Sequence, residues 1–150
     1  MPDGRITYDS RRGQEVFLVV YALSELGGIN GRREVIDHIS GQRWYEVIGE
    51  DLTPTATSIE ARYRIDLAWA RKDGVLRELI NNLERNAWEL SRRGRDQLDL
   101  WIARFRSGIW DLHRCEYFAV PLKRKIDASY EPLATDRRRD HTASVFEYAV

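Results

Sequence analysis

The stretch from residue 53 to residue 94 constrains this chain most, because its hydrophobic period changes twice within it. Thr53-Pro54-Thr55-Ala56-Thr57-Ser58 supplies a turn and several hydroxyls able to cap a helix. Residues 59–72 carry apolar side chains at three- and four-residue spacing, which predicts a helix, and Gly74 is a natural stop. The pattern over 75–80 then becomes strand-like. Asn81 and Asn82 can turn the chain, since Asn tolerates left-handed backbone angles. Ala87-Trp88-Glu89-Leu90 alternates like a returning strand, and Ser91 can cap a further helix. The expectation is helix, strand, turn, strand, helix.

Before that stretch, residues 14–26 form the first strong helical pattern, with Val16, Val19, Val20, Leu23 and Leu26 as its core stripe. Gly27-Gly28 ends it. Residues 29–39 predict a second short helix, with Val35, Ile36 and Ile39 inward and Arg32, Arg33, Glu34 and Asp37 on the wet side. Trp44, Tyr45, Val47 and Ile48 are expected against the core, while Glu46, Glu50 and Asp51 read as a solvated acidic connection. The 59–72 helix has two apolar edges, Ile59/Tyr63/Leu67/Ala70 and Ala61/Ile65/Ala68/Trp69. That predicts a wide packed face and a narrow polar strip of Glu60, Arg62, Arg64, Asp66, Arg71 and Lys72. Residues 92–107 repeat Leu98, Trp101, Ile102 and Phe105 on one face of a long helix. Beyond Gly108 the period is lost, residues 121–125 read as a basic break, and residues 127–150 as a partly extended tail.

These elements predict a mainly α fold with a small β-hairpin, a winged helix-turn-helix of residues 14–107 after a flexible N-terminus (1–13), with a C-terminal extension (108–150). One domain suits 150 residues, and 43% hydrophobic content with five Trp is enough for a core. Charge does not by itself point to nucleic acid, because 24 basic and 24 acidic residues balance. Residues 51–107 hold 11 basic and 9 acidic groups, so a nucleic-acid surface must be a local patch made by folding. A single Cys115 rules out an internal disulfide framework and suits a reducing compartment. No apolar leader or membrane-length run is present, so the expectation is a soluble cytoplasmic protein.

Asp73-Gly74-Val75-Leu76, the hairpin, and Trp88-Glu89-Leu90-Ser91-Arg92-Arg93-Gly94 resemble the N-terminal winged-helix domain of Mrr-type restriction proteins. Trp69-Ala70 echoes that family's Trp-Ala pair, Arg85-Asn86 stands where its wing has Arg-Gly, and Leu23-Ser24-Glu25-Leu26-Gly27-Gly28 fits its opening helix. The resemblance covers roughly residues 14–100. Mrr-type proteins also carry a nuclease domain with an Asp and a Gln-x-Lys or Glu-x-Lys pair. Neither pairing is found here, and the 43 residues after Ser107 are too few for that domain. The resemblance therefore implies a DNA-reading module without the cutting module, as a transcription regulator or a recognition subunit of a restriction system.

On that reading the double-stranded DNA contacts are Arg62, Arg64, Arg71 and Lys72 of the 59–72 helix, Thr57 and Ser58 at its start, and Asn81, Asn82 and Arg85 on the hairpin. The bland alternative pairs the same cations with Glu60, Asp66 and Asp73 on a solvated helix face. A protein–protein module on the same scaffold is the competing function. His113 and Cys115 are one pair and cannot complete a tetrahedral zinc site, and no glycine-rich phosphate loop occurs. No catalytic group, metal or cofactor is expected. A homodimer through residues 92–107 and the segment after them is expected, because the Leu98/Trp101/Ile102/Phe105 stripe and then Trp110, Tyr117 and Phe118 need burial; the alternative is that residues 119–150 fold back over the stripe. The C-terminal extension is a further candidate for docking a protein partner.

Overall fold

The structure is a computed structural model, and it describes residues 6–47, 49–52, 54–55, 58–84 and 86–133, with side chains for all of these except 49, 50, 54, 55, 58–60 and 84. Helix α1 (Arg11–Glu25) is the centre of the molecule, and every residue from Gly13 to Val20 is buried. Its start is fixed by Ser10, whose hydroxyl accepts from the Gly13 amide at 3.0 Å. Its end is fixed by Gly27 and Gly28, both at φ near +95°, where a side chain would be strained. The mainly helical chain carries a small three-stranded antiparallel sheet, ordered β1 (Ile29–Asn30), β5 (Ala87–Leu90), β4 (Ile80–Glu84). Helix α2 (Arg32–Gly41), helix α3 (Arg62–Leu76) and helix α4 (Arg92–Arg106) pack around α1. A two-stranded ribbon, β2 (Pro54–Thr55) with β3 (Ser58–Ala61), leads into α3.

Three expected boundaries move, each for a physical reason. Ile29 and Asn30 are strand and not helix, because they pair with Glu89 and Trp88 on β5. Residues 58–61 are strand, and α3 starts at Arg62 and runs through Gly74 to Leu76. Gly74 does not stop the helix. A Cβ there would lie 2.8 Å from Ile80 Cδ1, so the glycine serves close packing of α3 on the hairpin. The chain leaves the helix at Glu78, which takes φ 62°. Asn81 and Asn82 do not turn the chain either. They pair with Glu89 and Trp88 inside the hairpin, which closes where Glu84 faces Ala87.

The last third of the described chain joins the same core. Phe118 forms an antiparallel bridge with Tyr45, and the Ala119 amide donates to the Trp44 carbonyl at 2.8 Å. The expected basic break is helix α5 (Val120–Ile126), since Pro121 sits in its first turn, where proline's fixed φ suits a helix and its missing N–H costs nothing. Leu98, Trp101 and Phe105 of α4 are buried, and Phe105 meets Phe17, Tyr8, Trp110 and Phe118 edge-on. Each large side chain so enclosed contributes roughly 1.5–3 kcal/mol. The α4 stripe is therefore covered within one chain, and the reason for expecting a homodimer through it falls away. No helix among the described residues is long and apolar enough to cross a membrane.

Glu46 and Asp51 also correct the expectation of a solvated acidic connection, because both are buried. Asp51, in the 3-10 turn Gly49–Leu52, is ion-paired with Arg11. Arg11 bonds Tyr45 Oη at 2.9 Å, Glu15 at 3.4 Å and Asp66 of α3 at 3.3 Å as well. Tyr45 Oη donates to Glu15 at 2.9 Å, and Arg12 pairs with Glu15 at 3.2 Å. One buried knot thus ties α1, α3 and the connection between α2 and α3. Burial raises the Glu15 pKa above the ordinary carboxylate value, outweighing the Tyr45 hydrogen bond and the Arg11 and Arg12 charges.

Candidate nucleic-acid interface

Helix α3 buries one edge only. Tyr63, Leu67, Ala70 and Gly74 face the core at helical spacing. The second expected edge does not pack. Ile65 and Ala68 are half-buried, and Trp69 is 52% exposed. Arg62, Ile65, Trp69, Lys72 and Leu76 fall at i, i+3, i+7, i+10 and i+14, so they share one solvent-facing stripe. That stripe alternates cationic and apolar groups, where a wholly polar strip was expected. Leu76 at its end is 63% exposed.

The stripe borders a concave surface of about 610 Å³ between α3, the hairpin and the start of α2. Its cations are Arg32, Arg71 and Lys72, its aromatics are Trp69 and Trp88, and Asn82 enters from β4. Among the described residues no carboxylate lines it. The Lys72 ammonium sits 5.0 Å from the centre of the Trp69 ring, and the Arg71 guanidinium 5.8 Å from the centre of Trp88. Burial lowers the Arg71 pKa, which leaves a guanidinium charged at any pH the fold survives. A second concavity, of about 540 Å³, shares Arg32 and adds Arg33, Glu34, Ile36, Arg64 and Asn86.

The expected contact residues divide accordingly. Arg62, Arg71, Lys72 and Asn82 lie on or beside the cationic face. Arg64 is held by Asp37 of α2 at 2.8 Å, so it braces α3 on α2 and only lines the second concavity. Asn81 points to the other side of the sheet, where its amide donates to Glu89 at 2.7 Å. Thr57 and Arg85 lie outside the described residues, and Ser58 is described only as backbone in β3. Sequence reasoning missed Arg32, Trp69 and Leu76. Arg32 was read as the wet side of α2, and nothing local links it to α3. The Trp69 and Leu76 positions were legible, since the 62/65/69/72/76 spacing is itself a helical stripe.

His113 and Cys115 make separate contacts. Burial pushes the Cys115 thiol up to about 12, and Sγ lies 3.7 Å from the Tyr8 carbonyl oxygen, while His113 Nδ1 contacts Tyr130 Oη at 3.2 Å. Among the described residues no three His, Cys, Asp or Glu side chains are arranged to hold a metal ion. No family model, curated protein or solved structure matches the chain.

Proposed function

We propose that the protein binds double-stranded DNA, with α3 in the major groove and the β4–β5 hairpin beside it. The single observation behind this reading is the concave face that gathers Arg32, Arg71 and Lys72 with no carboxylate among its described residues, in a chain whose charges balance overall. Local excess cation is what a polyphosphate backbone requires. The element order supports it too: α1, β1, α2, α3 and a hairpin whose second strand pairs with β1 follow the order of a winged helix-turn-helix, with residues 42–61, the β2–β3 ribbon among them, inserted between α2 and α3. In helix-turn-helix proteins the second helix of the pair enters the major groove, which is wide enough for one helix. A role in transcription regulation or in the recognition step of a restriction system rests on the Mrr-type resemblance alone.

The experiment is fluorescence anisotropy with a labelled duplex at low salt, comparing Lys72→Glu with Lys125→Glu. Lys125 bonds Glu25 at 2.7 Å and lies outside this surface. Lys72→Glu should weaken binding by at least about tenfold, the effect of losing roughly one good ionic contact. Lys125→Glu should leave it near the parent. Equal effects would overturn the assignment of the surface. A protein-binding module is the second reading, and the exposed Trp69 and Leu76 favour it.

A further inference from the structure

The groups at the middle of the solvent stripe of α3 are not the ones that read bases by hydrogen bonds. Between Arg62 and Lys72 the stripe offers Ile65 and Trp69, Ala68 lies beside them, and Leu76 closes the far end. None of these aliphatic groups can donate or accept, and the indole has a single donor. In the major groove the apolar feature of a base edge is the C5-methyl of thymine, and apolar side chains are its natural contact. Arg62 sits at one end of the stripe, Lys72 within it between Trp69 and Leu76, and Arg32 and Arg71 line the concave surface beside it, within reach of phosphates flanking a groove. One face of the Trp69 ring is already occupied by the Lys72 ammonium at 5.0 Å. That arrangement suits edge contact within a duplex groove better than a base inserted against the indole.

We propose that α3 reads thymine methyl groups, so that the protein prefers A·T-containing duplexes through Ile65, Trp69 and Leu76 and not through hydrogen bonds to bases. This rests on the DNA-binding reading above and specifies what that surface recognises. Charge complementarity selects nucleic acid over a protein partner as the occupant, because an apolar patch whose charged groups, among the described residues, are all cationic matches methyl groups set between phosphates.

The test compares three duplexes of one length with the intact chain: alternating A·T, the same duplex with deoxyuridine for every thymidine, and alternating G·C. Deoxyuridine removes the methyl and keeps every hydrogen-bonding group. The expected loss is about fourfold for each methyl contacted, the partition of one buried carbon. Trp69→Ala and Leu76→Ala should bind the thymidine duplex more weakly and should lose the preference for it over the deoxyuridine duplex. Both side chains are more than half exposed, so their melting curves should stay close to the parent. Binding with equal affinity for thymidine and deoxyuridine would overturn the methyl reading and leave DNA binding intact. Preference retained in both variants would overturn the assignment to this stripe. Absence of binding to all three duplexes at low salt would remove the parent reading itself. Self-association of the parent that Trp69→Ala abolishes would then make the stripe a surface for a second copy.

Discussion

Two groups of charged and aromatic side chains share α3, and they are built oppositely. Asp66 belongs to the buried knot of Arg11, Glu15, Tyr45 and Asp51, where each carboxylate meets Arg11 and the tyrosine hydroxyl is bonded on both sides. Arg71 belongs to the concave face, where cations collect without a carboxylate among the described lining residues and Trp69 is left half open to water. In the first group charge is consumed in fixing the fold, since a buried ion has to be matched to be tolerated at all. In the second, cations and the exposed Trp69 and Leu76 line one concave surface, and it is this surface that the DNA-binding proposal uses. Composition hides this contrast, because the chain as a whole carries 24 charges of each sign.

The largest effect expected from breaking the contrast is on stability. Arg11→Met removes the cation shared by three carboxylates of the knot, with Arg12 still paired to Glu15, and should cost about 3 kcal/mol in urea unfolding. That is near the lower end for losing one partner of a buried pair, because the Arg11 side chain is 33% exposed. A cost below about 1 kcal/mol would mean that the knot does not hold the fold. The next effect should fall on binding alone. Arg62→Ala with Lys72→Ala should weaken duplex binding about tenfold while stability stays within about 0.5 kcal/mol of the parent. A stability loss as large as that of Arg11→Met would erase the distinction between the two regions.

The smallest effect is one of slope. The folded chain raises the Glu15 pKa by burial, so it retains a proton that the unfolded chain has already released. Stability from this group therefore falls as pH rises from the ordinary carboxylate range to the raised value. Glu15→Gln removes that fall, so the parent's advantage over the variant should shrink as pH rises through this window. Parallel pH profiles for parent and variant would place the Glu15 charge outside the linkage.

The two regions were not equally legible in the sequence. The stripe of α3 is local, and Arg62, Lys72 and their apolar neighbours follow from helical spacing once the helix is placed. Helix α4 was legible for the same reason: Ser91 caps it by accepting from the Gly94 amide at 2.9 Å, and Leu98, Trp101 and Phe105 are buried as their spacing requires. The knot was not legible. Arg11 and Glu15 look like an ordinary surface pair at i and i+4, and the partners that bury them, Tyr45, Asp51 and Asp66, come from distant parts of the chain. Gly74 misled because a glycine needed for close packing looks the same as one that ends a helix. The asparagines at 81 and 82 misled because cross-strand pairing with Glu89 and Trp88 overrides turn propensity.

The central claim, that the cationic face of α3 is a nucleic-acid surface, is tested most directly by the salt dependence of duplex binding. Four phosphate contacts, from Arg32, Arg62, Arg71 and Lys72, predict a slope of about −4 for log affinity against log salt concentration, measured by anisotropy on the intact chain. A flat response, or no binding at low ionic strength, would contradict the account and leave the exposed Trp69 and Leu76 to a protein partner.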